Sequence, residues 1–257
     1  MDKKVTGFIF NRTPYKDNDF LLHILTDQEK EVFILAKGSA KVSSKNAIST
    51  QFFMINEFIY TEKSEDGPKI LKNVYTIKPY YAPYSDLFAS GMFFFIYEVI
   101  QKIVNQMPLY HLTITCFDAL EQKNDPYSVG NYFLKHVCQG LGYQPSLDGC
   151  VYCHRKDHLI SFDFESGGFI CSNCFKPMIH RSFSQNQLKE IYNFLKEDEM
   201  MMMSEPTASF VFDLYVQFLK EQAGIKTLSH EFLKQAQVQY DVFYRITLVG
   251  FHFIRKR

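Results

Sequence analysis

The stretch CVYCHRKDHLISFDFESGGFICSNC, residues 150–174, holds four of the six cysteines of the chain in two pairs of identical spacing. Cys150 and Cys153 form the first Cys-x2-Cys pair, seventeen residues follow, and Cys171 and Cys174 form the second. A Cys-x2-Cys turn directs two sulfurs to one centre, so two such turns supply the four corners of a tetrahedron. The residues SFDFESGGFI between the pairs predict a hairpin with a Ser-Gly-Gly turn, as in zinc ribbons.

Four cysteine ligands leave no position for a water molecule on the metal. We therefore predict a structural Zn²⁺ ion, one per chain, and no catalysis at this site. Such an ion contributes about 10 to 16 kcal/mol of apparent binding energy to folding. Reduced cysteines without a metal, or a redox pair, are the alternatives. His154 and His158 are substitute ligands, but a solvated polar turn explains them more simply.

The first 80 residues alternate between β-branched or aromatic runs and short polar turns. This pattern predicts strands, and five strands with short connections predict a small closed barrel. The size is that of an OB-fold, although a sandwich fragment or an SH3-like barrel gives a similar pattern. The predicted strands cover residues 4–15, 20–27, 32–38, 48–63 and 69–80.

After residue 80 the apolar residues recur at helical spacing. Ser85 and Asp86 predict the start of a helix that reaches Ile103. The predicted fold is α+β, with a five-stranded OB-fold β-barrel over residues 1–80 and an α-helical domain over 81–257. A four-cysteine zinc module, residues 148–177, is inserted into the helical domain. Further helices are predicted over residues 109–122, 125–142, 182–198, 207–224 and 229–237.

Composition excludes several classes of protein. Of the 257 residues 46% are hydrophobic, and 28 basic residues balance 28 acidic ones. A surface coated in positive charge is excluded, although a local basic patch is not. The start MDKKVTGFIF lacks the apolar run of a signal peptide, and the most apolar stretch, residues 87–100, is too short to span a bilayer. We therefore expect a cytoplasmic protein without a membrane partner, in which paired cysteines favour metal over disulfide.

Several segments resemble, in their order and spacing, the RecO family of bacterial recombination mediators. The resemblance covers nearly the whole chain and implies an N-terminal OB-fold, a helical C-terminal domain and a zinc module. The segments that carry it are RTPYKDNDFLLHILT (12–26), FILAKGSAK (33–41), LGYQPSLDGCVYC (141–153), FESGGFICSNC (164–174) and GIKTLSHEFL (224–233).

The resemblance also implies a function. A RecO-like protein binds single- and double-stranded DNA and anneals complementary strands. It works with RecR and with single-strand DNA-binding protein so that RecA can load. We therefore expect a mediator of DNA repair and homologous recombination that is not an enzyme and that associates with the nucleoid. The chain departs from the family where Asn131 and Tyr132 stand in place of a basic pair that members often carry.

Binding of DNA without regard to sequence needs cations along a groove and aromatic faces for the bases. Lys37, Lys41 and Lys45 lie in a run without acidic residues, 32–56, and Arg12 and Lys16 flank the first turn. Following the resemblance, we predict that these five residues bind DNA.

Two further groups of residues bear on binding. The acidic tail of single-strand DNA-binding protein needs an apolar pocket beside a cation, and Lys135 is the candidate cation. The aromatic residues near the fourth strand are interpreted as barrel core and not as a surface for stacking bases; they are Phe52, Phe53, Phe58 and Tyr60.

Other functions are less well supported by the sequence. It contains no Gly-rich phosphate loop, no nucleophile elbow and no His-Glu metal motif, so an enzyme is disfavoured. The alternative to a mediator is a zinc-ribbon module for protein interaction or transcription, without annealing activity. A barrel that precedes the helices disfavours this alternative.

Overall fold

The computed structural model describes residues 2–41, 50–62 and 67–237 and shows an α+β protein. Its first five strands close into a barrel in the order β1-β2-β3-β5-β4. They are β1 (Asp2–Lys16), β2 (Asp19–Thr26), β3 (Glu31–Ala36), β4 (Met54–Thr61) and β5 (Ile70–Pro79). The parallel pair of Leu35 and Ile70 joins β3 to β5 and closes the ring. This is the five-stranded barrel that the sequence predicts, in the arrangement of an OB-fold.

Strand β1 is long enough to pair with two neighbouring strands. Its first half pairs with β4 and its second half with β2. Gly7 lies where the two pairings overlap. A Cβ built on Gly7 would lie 2.4 Å from the carbonyl oxygen of Leu25, so the barrel can close tightly here only without a side chain.

Helices follow the barrel, as the change of period predicts. They are α1 (Ala82–Ser85), α2 (Leu87–Ile103), α3 (Tyr110–Glu121), α4 (Pro126–Gly140), α5 (Gln185–Lys196) and α6 (Glu205–Gln222), and residues 229–237 are also helical. Asp86 caps α2 as predicted, because its carboxylate accepts a hydrogen bond from the Ala89 N–H at 2.7 Å. Within the described ranges, none of the helices is long and apolar enough to cross a membrane.

A three-stranded sheet lies between α4 and α5 in the chain. It consists of β6 (Ser146–Cys150), β7 (Leu159–Asp163) and β8 (Gly168–Cys171), in the order β6-β8-β7. Strands β7 and β8 form the predicted antiparallel hairpin, and β6 pairs parallel to β8.

Residues 50–53 differ from the prediction, which includes them in the fourth strand. Phe53 has a positive φ of 64° and turns out of the barrel toward α2. Its N–H donates a hydrogen bond to the hydroxyl of Tyr97 at 3.1 Å, and its ring lies 5.1 Å from that of Phe94. Tertiary packing on a helix therefore overrides the local strand propensity of this aromatic run.

One apolar core extends from the outer face of the barrel into the helices. The ring of Phe8 on β1 lies 5.8 to 5.9 Å from the rings of Tyr97, Tyr110 and Phe117 on α2 and α3. The barrel interior forms a separate cluster that includes Ile9. The predicted domain boundary at residue 80 stays a prediction, although the strands of the barrel end just before it.

Three glutamates cap helices to which they do not belong. The carboxylate of Glu29, in the β2–β3 turn, accepts three N–H groups at the start of α3 at 2.6, 2.6 and 3.1 Å. Glu121 on α3 accepts two at the start of α1, and Glu98 on α2 accepts two at the start of the helical segment 229–237. An anionic acceptor satisfies the free N–H groups of a helix start and complements its dipole. These caps therefore join the barrel to the helices and the helices to one another.

Candidate metal centre and nucleic-acid surface

The four cysteines of the two pairs converge on one point. Cys150 is the last residue of β6 and Cys171 the last of β8, and backbone hydrogen bonds of 2.8 and 3.0 Å close the turn after each. All four sulfurs lie within 4.8 Å of one another. The Sγ atoms of Cys153 and Cys171 are 3.6 Å apart, too far for a disulfide bond of about 2.05 Å. Sulfurs about 3.8 Å apart surround a tetrahedral metal with bonds of about 2.3 Å, so the cluster has the dimensions of a four-thiolate metal site.

Repulsion between the four sulfurs also favours a cation between them. Burial opposes ionisation of Cys150, yet the backbone N–H groups that point at its sulfur lower its pKa to about 6. Burial and the three neighbouring sulfurs raise the pKa of Cys174 to about 12. Four thiolates at this distance repel one another, and a divalent cation at their centre would remove the repulsion. The donor set fits a soft, four-coordinate metal ion.

The two histidines near the first pair lie apart from the cluster. His154 and His158 are exposed in the connection from β6 to β7, and the sulfurs alone form the group of ligands found in the described part of the chain. The structure thus agrees with their interpretation as a solvated turn.

The small sheet packs against the helical part of the molecule through residues outside the cysteine cluster. The Phe164 ring lies 4.1 Å from that of Tyr215 on α6, and the Ser161 hydroxyl donates a hydrogen bond to the carbonyl oxygen of Arg181 at 2.7 Å. Cys150 and Cys171 are both buried. A metal here would join the turn after β6 to the turn after β8 and so hold the small sheet together, which is a structural task.

The structure places three of the five cations predicted to contact DNA, Lys16, Lys37 and Lys41, on or beside two loops that are hydrogen-bonded to each other. The loop after β3 folds onto the β1–β2 turn, because Gly38 N–H donates to the Asp19 carboxylate at 2.7 Å and Ala40 N–H donates to the Asn18 carbonyl at 3.1 Å. Lys37 and Lys41, both exposed, therefore lie beside the turn. We call this end of the barrel the basic edge, formed by Arg12, Lys16, Lys37 and Lys41. Lys45 lies outside the described residues.

Arg12 is held by contacts with neighbouring side chains. Its guanidinium carbon lies 5.0 Å from the ring centre of Phe20 and 5.1 Å from that of Phe52. It also donates a hydrogen bond to the side-chain oxygen of Gln51 at 3.2 Å. Stacking between two rings fixes the direction of the guanidinium at low cost, because an arginine is weakly hydrated.

The aromatic residues fall into two groups. Phe53, Phe58 and Tyr60 are buried, which agrees with their interpretation as core. Tyr15 and Phe33 are exposed, and the Tyr15 ring lies 5.8 Å from the Lys16 ammonium on the basic edge. Sequence reasoning missed both, although alternation along β3 gives an outward Phe33 next to the buried Ile34.

Lys135 is buried inside the helical part of the molecule. Its ammonium donates hydrogen bonds to the carbonyl oxygens of Phe194, at 2.9 Å, and Glu197, at the C-terminal end of α5. Burial lowers the pKa of Lys135, while Asp198 and Glu197 act to raise it. The ammonium thus has intramolecular partners that the sequence did not predict, and a partner-binding role for it stays a prediction. Nearby, the buried side chain of Asn131 donates a hydrogen bond to the Ala208 carbonyl at 2.7 Å. A basic side chain at this position would not reach the surface of the protein.

A groove with apolar walls and an exposed cation lies between the small sheet and α6. The Arg181 guanidinium lies 4.1 Å from the ring centre of Phe210, and Leu214 and Ile179 line the same groove, which has a volume of about 160 Å³. Asp163 and Glu165 also line it, so its charge is mixed. No local sequence pattern indicates this groove, because Arg181 and Phe210, which form it, are 29 positions apart in the chain.

Comparisons with known proteins agree with these features. The family model described as Recombination protein O N terminal matches residues 1–80, and Recombination protein O C terminal matches residues 85–230. A DNA repair protein RecO of Lactobacillus acidophilus is 28% identical over 184 residues, which cover 70% of this chain and 73% of the relative. A DNA repair protein RecO of Listeria welshimeri is 21% identical over 241 residues, which cover 90% of this chain and 94% of the relative.

Proposed function

Because the chain belongs to the RecO family, whose role lies in DNA repair and recombination, we propose that it is a non-enzymatic mediator acting on DNA in the cytoplasm. It binds single- and double-stranded DNA without regard to sequence and anneals complementary strands. Together with RecR it helps RecA to load on DNA that is coated with single-strand DNA-binding protein.

The observation that carries the proposal is the basic edge. Lys16, Lys37 and Lys41 are exposed on or beside two loops that are hydrogen-bonded to each other, and Arg12 precedes Lys16 by four residues on β1. Tyr15 offers an exposed ring at the same end of the barrel. A cluster of cations next to an aromatic face is the arrangement that binds single strands, since the phosphates pair with the cations and the bases stack.

Annealing follows from the same chemistry. Two complementary strands repel each other through their phosphates, and base pairing begins only when that repulsion is lowered. Cations on two adjoining loops contact more than one stretch of backbone at once and neutralise part of the charge. No nucleotide hydrolysis is needed, because pairing itself supplies the free energy.

The four-cysteine centre holds Zn²⁺ in this proposal. Four thiolates close its coordination sphere, so the metal supplies folding energy and takes no part in contact with DNA. Its ligands Cys150, Cys153, Cys171 and Cys174 join the turns after β6 and β8 and so hold the small sheet together.

The groove at Arg181 supports binding of the tail of single-strand DNA-binding protein. An apolar, acidic tail needs apolar walls and a cation, and Phe210, Leu214 and the exposed guanidinium offer both. Lys135 has less support for this role because its ammonium is buried on carbonyl oxygens.

Annealing of two complementary oligonucleotides, without ATP and at two salt concentrations, tests the proposal. We expect the protein to accelerate annealing at low salt and to bind DNA less tightly as salt rises, because counterions are released from the phosphates on binding. Absence of DNA binding at low salt would rule out the mediator.

The second candidate is a zinc-ribbon interaction module without annealing activity. One observation favours it: Met178 and Ile179 are exposed on the loop after the second cysteine pair. Exposed apolar side chains on a rigid loop suit a protein partner. A protein that binds neither single- nor double-stranded DNA would favour this module.

A further inference from the structure

The four sulfurs of the metal centre differ in how far they are open to solvent. Cys150 and Cys171 are buried, with 1% and 0% of their surface exposed. Cys153 is exposed, and Cys174 is half-buried. A small oxidant that arrives from water therefore meets the sulfur of Cys153 first, because oxidation of a thiolate requires direct access.

A second sulfur lies close enough to Cys153 to form a disulfide with it. The Sγ atoms of Cys153 and Cys171 are 3.6 Å apart, so a disulfide needs them to approach by about 1.5 Å. The two residues belong to different Cys-x2-Cys turns, and the bond would link the turn after β6 to the turn after β8. Cys116 and Cys138 do not belong to the cluster, and burial in the apolar core protects them from the same oxidant.

The loop 175–181 leads directly from the second cysteine turn. Its first residue, Phe175, donates a backbone hydrogen bond to the Cys171 carbonyl oxygen at 3.0 Å. The Cys174 N–H donates to the same carbonyl oxygen at 3.1 Å. A metal that holds Cys171 and Cys174 therefore also fixes the point from which the loop starts.

The other end of this loop forms part of the groove described above. The Lys176 N–H donates to Nδ1 of His180 at 3.0 Å and so folds the loop on itself. His180 and Arg181 line the groove, and the Arg181 guanidinium lies over the ring of Phe210. The Arg181 carbonyl oxygen also accepts a hydrogen bond from Ser161 on β7. Both anchors of Arg181, the loop and β7, thus belong to the module that the metal organises.

We propose that the four-cysteine centre is a peroxide-sensitive switch for the groove at Arg181. Hydrogen peroxide joins Cys153 to Cys171, and the metal site loses two of its four ligands. The loop 175–181 then no longer holds Arg181 over Phe210. The inference rests on the proposed binding of Zn²⁺ and on the proposed role of the groove in binding an acidic tail. The basic edge lies on the barrel, so oxidation leaves the binding of DNA unchanged.

The oxidation proceeds in two balanced steps. The Cys153 thiolate attacks one oxygen of hydrogen peroxide, the O–O bond breaks, and a sulfenic acid and a hydroxide ion form. The Cys171 thiolate then attacks the Cys153 sulfur, the S–O bond breaks, and a second hydroxide leaves as the disulfide forms. The two sulfurs together lose two electrons, which the two oxygens of the peroxide gain. Cys150 and Cys174 remain as two thiolates, too few to retain a four-coordinate ion.

Metal release and disulfide mapping test this chemistry in the full chain loaded with zinc. A chromogenic metal indicator follows the release during treatment with hydrogen peroxide, and mass spectrometry of proteolytic peptides identifies the disulfide. We expect release of about one zinc per chain together with a bond between Cys153 and Cys171, while Cys116 and Cys138 stay reduced. A thiol reductant with added zinc should restore the metal content.

Two variants separate Cys153 from the other accessible cysteine. Cys153→His keeps four ligands, since three cysteines and one histidine also bind Zn²⁺, but removes the sulfur that is oxidised first. We expect this variant to bind zinc and to retain it in peroxide. The matched control Cys174→His changes the other outer ligand and should release zinc as the unchanged chain does. Met178 is 96% exposed but is common to all three proteins, so its oxidation cannot account for a difference between them.

A tryptophan in the groove reports the release of Arg181. The natural sequence has no tryptophan, so Phe210→Trp introduces a single one. We expect peroxide to shift its emission to longer wavelength and to increase its quenching by acrylamide, because the guanidinium no longer covers the ring. Addition of Cys153→His should abolish both changes. Affinity for a labelled oligonucleotide should be the same before and after peroxide.

Several results would overturn the switch. A zinc-loaded chain that keeps its metal in peroxide, or a disulfide that joins a different pair of cysteines, would refute it and leave the metal site standing. An equal response of the two histidine variants, or zinc loss without a change at the tryptophan, would refute it as well. A chain that takes up no zinc would refute the metal site itself, and the switch with it, before any peroxide is added. A failure to anneal DNA concerns the barrel and is a separate result.

Discussion

Removal of three exposed lysines of the basic edge should weaken binding of DNA in a way that depends on salt. The change is Lys16→Ala with Lys37→Ala and Lys41→Ala. All three side chains are exposed and lie on two loops joined by the Gly38 and Ala40 hydrogen bonds. None of these lysines contributes to either apolar core, so the barrel should keep its fold.

The expected magnitude follows from the number of phosphates that these lysines neutralise. Each contact with a single strand adds about 0.7 to the slope of log affinity against log salt concentration. Loss of three contacts makes the slope shallower by about 2. Between 50 and 200 mM salt the unchanged protein should therefore lose about 20-fold more affinity than the variant.

Fluorescence anisotropy with a labelled oligonucleotide, titrated at four or five salt concentrations, measures both slopes. The control removes three exposed lysines of the helices, with Lys102→Ala, Lys189→Ala and Lys220→Ala, and so lowers the net charge equally. We expect the control to keep the original slope. An unchanged slope in the first variant, or an equal decrease in both, would refute the basic edge as the path of the DNA.

Three further changes test separate parts of the structure. Glu29→Gln keeps the shape of the side chain but removes the charge that caps α3, and should lower the free energy of unfolding in urea by about 1 kcal/mol. The control Glu57→Gln breaks only an exposed ion pair with Lys4 and should lower the free energy of unfolding by less than about 0.5 kcal/mol. Equal losses in the two variants would contradict the cap. Cys171→Ser should abolish the binding of about one metal ion per chain in elemental analysis and lower the melting temperature, with a much smaller effect on DNA affinity; a metal content that is unchanged would exclude the four-cysteine site. Tyr15→Ala should weaken binding of single strands by about 1 to 3 kcal/mol through loss of stacking, whereas Tyr15→Phe should keep it, and a similar loss in both variants would point away from stacking.

Local features of the sequence were enough to predict most of the elements. Strand alternation, the change to helical spacing after residue 80 and the cap at Asp86 depend on neighbours a few residues apart. The cysteine cluster was predictable for the same reason, because Cys-x2-Cys spacing constrains the turn itself. Phe53 shows the limit of such reasoning, since its conformation is set by Tyr97 and Phe94 on a helix more than forty residues away.

The candidate site was harder to predict from the sequence, because it depends on contacts between residues far apart in the chain. The loop that carries Lys37 meets the turn after Lys16 through hydrogen bonds of Gly38 and Ala40, and no local pattern records them. The burial of Lys135 follows from the position of the end of α5, which is sixty residues away in the chain. Arg181 and Phe210 meet for a similar reason. Sequence alone identified the residue types needed for a DNA surface, but not which cations are exposed together.

The three glutamate caps have a consequence for how the chain folds. Each one joins residues that are 39 to 131 positions apart, so the start of each helix receives its cap only after distant parts of the chain have met. Contacts of this range are slow to form because the intervening chain must first be closed into a loop. The first turn of α3 receives its cap only when the barrel supplies Glu29. We therefore expect barrel and helices to unfold in a single cooperative transition, and a fragment that begins at residue 81 to have a frayed α3.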